Sequence, residues 1–418
     1  AWAVPMLMSV LKLQKLPTVI IEIIAGYLIG HFILGYASEE SIRILDFLAL
    51  TGFIFLMFLS GLEIDVDQII YSIPRKKLTW NRFQKNPFLV GVTYFIITLL
   101  LCYTGTLALS TLIRIDNVWY FSIIMVTTSV GIIFPVLKNR GETSSHFGQM
   151  MILAAAIADI VSIVLFSFSS YIIRNGFQLE VLYIVAIFII FYVAYYVGKK
   201  LNIMLFRRIS FQLAHAASQI SIRGTLLLIL IFVVVSQFVG EEIILLGAFL
   251  GGLLLSMFLH KDRSLLLIKL DGMGFGFFIP VFFIMVGVEF DEKALLEFDV
   301  NLIPFLSGLL VLMFLVKVIP SFLWVKLFGW RKAISGGFLM ASRLSLIIAA
   351  SAIGLELGVI TPGVNASFVL LAVVTCMVSP VLFNSLNPVE KASGEKTIIV
   401  GGSSTGVLLM RRLTMHGK

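Results

Sequence analysis

Asp159 is a lone acid in a strongly apolar stretch, Ala154-Ala155-Ala156-Ile157-Ala158-Asp159-Ile160-Val161. A carboxylate in such a setting is costly and marks a functional site by default. Ionised, it offers only acceptor oxygens and can hold a small monovalent cation; protonated, it carries the proton instead. Competition between the two for one group is already an exchange mechanism. Two cations stand in similar text: Lys317 in Phe314-Leu315-Val316-Lys317-Val318-Ile319-Pro320, and Arg343 between Ser342 and Ser345. Each reads either as a charge partner of the site or as part of an ion pair that locks helices together. Two stretches weaken the helices near them: Thr127-Thr128-Ser129-Val130-Gly131, with Pro135 just beyond, and Gly336-Gly337 followed by Ser342-Arg343-Leu344-Ser345. Irregular backbone at membrane depth is tolerated only where protein or a cavity covers it, and its carbonyls and hydroxyls are hard oxygen ligands.

The elements that must position these groups are membrane spans. Of 418 residues, 59% are apolar and 13% charged, against about 45–50% and about 25% in soluble domains. That excludes a soluble enzyme, a nucleic-acid-binding module and a disordered chain. Runs of about 20 apolar residues fall at 1–12, 17–35, 44–62, 87–109, 118–138, 147–171, 179–206, 220–239, 241–260, 270–290, 302–328, 331–357 and 365–385. The stretch 1–12 reads as a trimmed first helix. Asp159 then lies about 18 Å into its span at 1.5 Å per residue, near mid-membrane. With the N-terminus outside, 25 of the 31 Lys and Arg fall on the inner side, four on the outer side, and Lys317 and Arg343 within spans. The positive-inside rule therefore predicts an outer N-terminus and a cytoplasmic C-terminus in the cell membrane, and the net charge of +8 is a topology signal with no bearing on nucleic acid. Cys102 and Cys376 both lie in apolar runs and read as small core residues.

The chain also repeats itself. Phe58-Leu59-Ser60-Gly61-Leu62-Glu63-Ile64-Asp65 returns 226 residues later as Ile284-Met285-Val286-Gly287-Val288-Glu289-Phe290-Asp291, and the same shift carries Gly26-Tyr27-Leu28-Ile29 onto Gly252-Leu253-Leu254-Leu255. The matched spans are the third and the tenth. An odd separation makes the copies cross the membrane in opposite directions, the pattern of many secondary transporters. The blander account is that both copies end in an acidic helix cap.

Thr127-Thr128-Ser129-Val130-Gly131-Ile132-Ile133-Phe134-Pro135-Val136-Leu137-Lys138, with Gly148-Gln149 and the Asp159 segment, resembles the monovalent cation:proton antiporter family of Kef-type potassium and bacterial sodium/proton exchangers. Leu16-Pro17, Ala25-Gly26, Phe58 to Glu63, Phe278 to Phe283 and Lys317 extend the resemblance over about residues 10–388. It implies an all-α NhaA-type fold of about 13 transmembrane helices with two discontinuous crossing helices, a homodimer, and elevator-like exchange of K+ or Na+ for protons without enzymatic activity. By the same resemblance Asp159 carries cation and proton in turn, Thr127, Thr128 and Ser129 form the unwound crossing, and Lys317 stands opposite. Two positions depart from the pattern. Ala158 replaces the second carboxylate or amide of many relatives, which favours electroneutral one-for-one exchange and leaves Asp159 as the expected ion-pair partner of Lys317. Arg343-Leu344-Ser345 replaces Arg-Gly-Glu.

From about residue 389 the tail changes character. Glu395 to Leu409 reads as strand, turn and helix start, and is similar to the opening of a TrkA-N/RCK-like regulatory domain, with Gly401, Ser403 and Gly406 at the glycine-pattern positions. The resemblance implies a regulatory nucleotide there and no cofactor for transport itself. A cation channel gated by such a domain and a sodium-coupled organic solute carrier are the competing readings. The start of such a domain slightly favours K+ as the cation, with Na+ close behind.

Overall fold

A computed structural model describes Met6 and residues 18–32, 38–74, 86–177, 182–200, 220–258, 263–296 and 302–387. The expected first span at 1–12 and the tail domain with Gly401, Ser403 and Gly406 lie outside the described residues. Everything described is helix or connection, with no strand among those residues. The helices are α1 (Thr18–Phe32), α2 (Glu39–Glu63), the short α3 (Val66–Ser72), α4 (Pro87–Leu109), α5 (Val118–Val126), α6 (Val130–Asn139) and α7 (His146–Asn175). There follow α8 (Leu182–Lys200), α9 (Ile220–Gln237), α10 (Ile244–Phe258), α11 (Arg263–Met273), a π-helical turn at Gly274–Phe278, α12 (Ile279–Val288) and α13 (Glu292–Leu296). The last are α14 (Leu302–Val318), α15 (Val325–Met340), α16 (Ser345–Glu356) and α17 (Pro362–Leu386). Seven of these stretches are long and apolar enough to cross a membrane, and five shorter apolar helices accompany them.

Local sequence sets the helix starts. Ser38, Asn86, Asn117, Ser145 and Thr361 each accept a hydrogen bond from a first-turn N–H through the side chain, and Pro87 and Pro362 open their helices where no N–H is needed. Two expected spans are interrupted by extended backbone. The span at 118–138 is interrupted at Thr127–Ser129, and the span at 331–357 stops at Met340 and resumes at Ser345. The expected boundary before the latter is marked by Gly329, whose φ of 80° lies in the left-handed region that glycine enters without penalty.

The repeat is visible as reciprocal packing. A Cβ on Gly26 would overlap the carbonyl oxygen of Ile284, and a Cβ on Gly252 would overlap that of Phe58. Adding 226 to one pair returns the other with its roles exchanged. Gly61 against Phe249 and Gly287 against Ile23 form a second such pair, and Gly52 meets Phe278, its own counterpart. Contacts of i with j matched by contacts of j with i are the signature of a two-fold axis, which here passes where α2 crosses α12. Gly26 and Gly30 meet Ile284 and Val288 in step, so α1 runs parallel to α12. Since α1 and α2 are consecutive spans joined by a few residues, α12 runs opposite to α2, and the copies are inverted. Small residues that let backbones touch are the usual cement of helix pairs in lipid. Helices α1, α2, α9, α10 and α12 form one packed group, and α4, α5, α7, α14, α15, α16 and α17 the other.

Gly252→Ala should therefore destabilise the protein in detergent by about 1–3 kcal/mol, because backbone must move to admit the methyl. Gly224→Ala, where nothing lies within 4 Å of the new carbon, should not. Equal melting temperatures for the two variants would contradict the close-approach reading.

Candidate functional site

The first break forms where Thr127, Thr128 and Ser129 follow seven buried residues of α5. Hydroxyl side chains offer the backbone competing hydrogen bonds, and Thr127 Oγ1 takes one, donating to the carbonyl of Ile124 at 2.9 Å. Thr127 then adopts φ −54°, ψ 156° and Ser129 φ −133°, ψ 105°, so α5 ends and α6 begins inside the bundle. The end of α5 presents free carbonyls and carries partial negative charge; the start of α6 presents free N–H groups and carries partial positive charge.

Each end is met by an opposite charge. Lys317, fully buried on α14, donates from Nζ to the Val126 carbonyl at 2.7 Å and to Thr128 Oγ1 at 2.6 Å. Arg343, also fully buried, reaches across from the second break and donates from Nε to the Thr127 carbonyl at 3.0 Å and from Nη2 to the Met313 carbonyl at 3.2 Å. The two breaks thus meet through the Arg343 side chain. Behind Lys317, its own carbonyl, at the point where α14 gives way to a 3-10 turn, accepts from Tyr94 Oη at 2.7 Å, and the Tyr94 ring stacks on Trp324 with centroids 5.0 Å apart.

The start of α6 faces Asp159 on α7. Its Oδ2 accepts from the Val130 N–H at 3.4 Å, while Oδ1 is buried and has no hydrogen-bond partner. A carboxylate oxygen left bare in a buried position costs free energy unless something else is bound to it. Asp159 itself is half-buried, and the residues around the α6 end, Gly131, Phe134 and Glu63, are exposed. In the other direction Tyr120 to Val126 of α5 are all fully buried. Exposed residues thus lie on the α2 and α6 side of the carboxylate, and buried ones on the α5 side.

The structure brings Asp159, Thr127, Thr128, Ser129, Lys317 and Arg343 into one cluster. It departs from the sequence reading in three ways. The expected Lys317–Asp159 ion pair is not formed, because the ammonium is engaged by the end of α5. Gly336 and Gly337 do not interrupt a helix; they lie inside α15 and allow it to approach Phe147, Trp324 and Val318. Glu63, read as a possible helix cap, reaches the site: its Oε2 lies 3.9 Å from where a Cβ on Gly131 would stand, within Coulombic reach of Asp159. Its place at the end of the repeated motif was the available signal. Among the described residues, no group of three or more His, Cys, Asp or Glu is arranged to hold a metal ion.

The family profile described as sodium/hydrogen exchanger, transmembrane, matches residues 2–384. The chain belongs to this exchanger family. YjbQ of Bacillus subtilis, provisionally named an Na(+)/H(+) antiporter, is 35% identical over 96% of this chain and 63% of its own length; the chain thus spans less than two thirds of that relative. A Methanocaldococcus jannaschii protein, provisionally named Na(+)/H(+) antiporter 3, is 26% identical over 90% of this chain and 91% of its own. GerN of Bacillus cereus, an Na(+)/H(+)-K(+) antiporter by name, is 24% identical over 87% and 88%. Membership makes the chain a multi-span membrane transport protein and not an enzyme.

For this exchanger-family chain, Lys317→Gln should lower stability by about 3 kcal/mol, since hydrogen bonds to a charged donor contribute about 1.5–3 kcal/mol each and the Val126 carbonyl would be left bare. Thr128→Val, which removes one partner only, should cost less. A thermal melt of Lys317→Gln that coincides with the parent would show that the break is not pinned by this lysine.

Proposed function

We propose that the chain exchanges a monovalent cation, K+ or Na+, for a proton at Asp159. The observation that carries the proposal is the half-used carboxylate: Oδ2 is oriented by the first N–H of α6, and Oδ1 is buried without a partner. A cation or a proton on Oδ1 completes the group, and one excludes the other. Thr127, Thr128 and Ser129 supply the nearby oxygens; Thr128 Oγ1 already accepts from Lys317 and serves the ion through its remaining lone pair. The names of the relatives, which cover both Na(+)/H(+) and Na(+)/H(+)-K(+) antiport, support this class of cargo.

The full reading is an NhaA-type exchanger of about 13 helices, working as a homodimer in the cell membrane with the N-terminus outside. A core carrying Asp159 moves against a scaffold in the manner of an elevator, and a TrkA-N/RCK-like domain beginning near residue 389 regulates it through a nucleotide. Ala158, fully buried beside Asp159, leaves one carboxylate at this position of the helix. One proton leaving as one cation binds moves no net charge, so the exchange is electroneutral.

Proteoliposomes with an internal pH dye, challenged in turn with Na+, K+ and Li+, test the proposal. Asp159→Asn keeps the size of the side chain and removes its titratable charge, so cation-dependent proton flux should fall to the level of empty vesicles. Flux near the parent level at equal protein would overturn the assignment. On a solid-supported membrane the parent should give no current that scales with the cation gradient; a proportional current would exclude one-for-one exchange.

A further inference from the structure

The turn that joins α6 to α7 carries a charge pair that neither the break nor the carboxylate accounts for. Helix α6 ends in a Schellman motif. The Glu142 N–H donates to the Leu137 carbonyl at 2.9 Å and the Gly141 N–H to the Lys138 carbonyl at 3.0 Å, with Gly141 at φ 68°. Ser145 then starts α7, donating from Oγ to the Glu142 carbonyl at 2.7 Å and accepting from the Gly148 N–H at 3.0 Å. From this fixed turn Arg140 reaches the end of α17. Its Nη1 donates to Asn384 Oδ1 at 2.9 Å, and its Nε and Nη2 both donate to Glu142 Oε1, at 3.1 and 2.8 Å. Its guanidinium carbon lies 4.9 Å from the centre of the Phe383 ring, a cation–π contact. The Arg140 side chain is 6% exposed, so its charge depends on these partners. A planar fork can serve a carboxylate, an amide and a ring face together, which an ammonium cannot.

What this clamp can act on follows from how little else holds α6. Of its ten residues, Val130, Ile133 and Leu137 are buried, and its first turn has no side-chain cap from Ser129. Pro135 has no N–H, so the Gly131 carbonyl in that turn lacks its usual helical donor. Helix α6 packs along α7, and the two form a hairpin. The turn closes one end, and the Val130 N–H on Asp159 Oδ2 closes the other. That second closure is long, at 3.4 Å, and lies about 14 Å from the turn at 1.5 Å per residue. We infer that Arg140 is a positioning residue for Asp159: by tying the α6–α7 turn to Asn384 and Phe383, it holds α6 where its first N–H meets the carboxylate. A short helix shifts along its axis as a rod, so slack at the turn is passed on to Val130. A bond already at 3.4 Å has almost no range left before it is lost. The consequence for transport rests on the exchanger reading; the positioning of α6 does not.

Amide hydrogen exchange of the protein in nanodiscs reads the position directly, and proton flux driven by Na+ or K+ in vesicles reads its consequence. Asn384→Ala removes the α17 partner alone, at an exposed residue, and Arg140→Lys keeps the charge but loses the fork. In both variants the Val130 amide, at the opposite end of α6, should exchange about tenfold faster than in the parent. The cation concentration for half-maximal flux should rise about tenfold, the weight of one hydrogen bond to a charged group. The maximal rate per folded protein should stay near the parent value. Lys138→Gln, exposed on the same helix, should change neither reading. A clamp that only stabilises the turn would speed the Glu142 and Ser145 amides and lower the melting temperature, with Val130 and half-saturation at parent values. That result would overturn the inference. A parent that moves no protons in answer to Na+ or K+ would count against the exchanger reading, and the Val130 amide alone would then decide whether Arg140 positions α6.

Discussion

A helix interrupted inside a membrane leaves carbonyls without donors on one side of the gap and N–H groups without acceptors on the other, in a medium that supplies neither. The rest of this structure depends on how that deficit is met at Thr127–Ser129. Lys317 and Arg343 take the carbonyl side, at Val126 and Thr127, and Asp159 takes the amide side, at Val130. Three charges that would each be prohibitive alone in hydrocarbon are placed against half-helix ends of opposite partial charge. The break makes the charges affordable, and the charges hold the break open.

The two sides are not met equally, and the inequality separates structure from function. Lys317 has two short bonds, a carbonyl braced by Tyr94, and no exposure. Nothing in that setting favours a change of partner. Asp159 has one long bond, one bare oxygen and a partly open face. Its free valence is where a cation or proton has most to offer. In the exchange proposed above, a lysine paired directly with Asp159 would have to be displaced on every cycle, at the cost of separating a buried ion pair. With the lysine committed to α5, the proposed change of occupant leaves the backbone around the carboxylate fixed.

Much of this was legible in the sequence because membrane depth is readable from it. An acid 12 residues into a 25-residue apolar run has few interpretations, and Thr127-Thr128-Ser129 in such a run announces a weak helix. The repeat was legible because it survived as text, down to the glycines that now make backbone contact. What could not be read was which group each charge touches. The sequence puts Lys317 and Asp159 at similar depth, and only the direction of the α5 carbonyls decides that the ammonium turns to the backbone. Gly336-Gly337 looked like helix weakness and is close packing, since a glycine pair serves either purpose and only the neighbours, Val318 and Trp324, distinguish them. Glu63 lay in plain view at the end of a motif, yet its role as a neighbour of Gly131 depends on a helix crossing that no single-span reading contains.

The glycine contacts also divide the molecule into a frame held by backbone contact and the helices packed around it. Gly26, Gly61, Gly252 and Gly287 set carbonyl oxygens against backbone at four reciprocal points, and contacts so close cannot slide, because every step along the helix brings a side chain into the gap. That fixes α1 to α12 and α2 to α10 as a rigid frame. Among the described residues, the helices carrying the breaks have no such glycine contacts with the frame, and α2 meets α6 beside the exposed Gly131. Side chains in lipid-like surroundings exchange one apolar neighbour for another with little change in free energy. The same sequence thus makes one interface held in register by backbone contact, and Asp159 lies among the helices outside that frame.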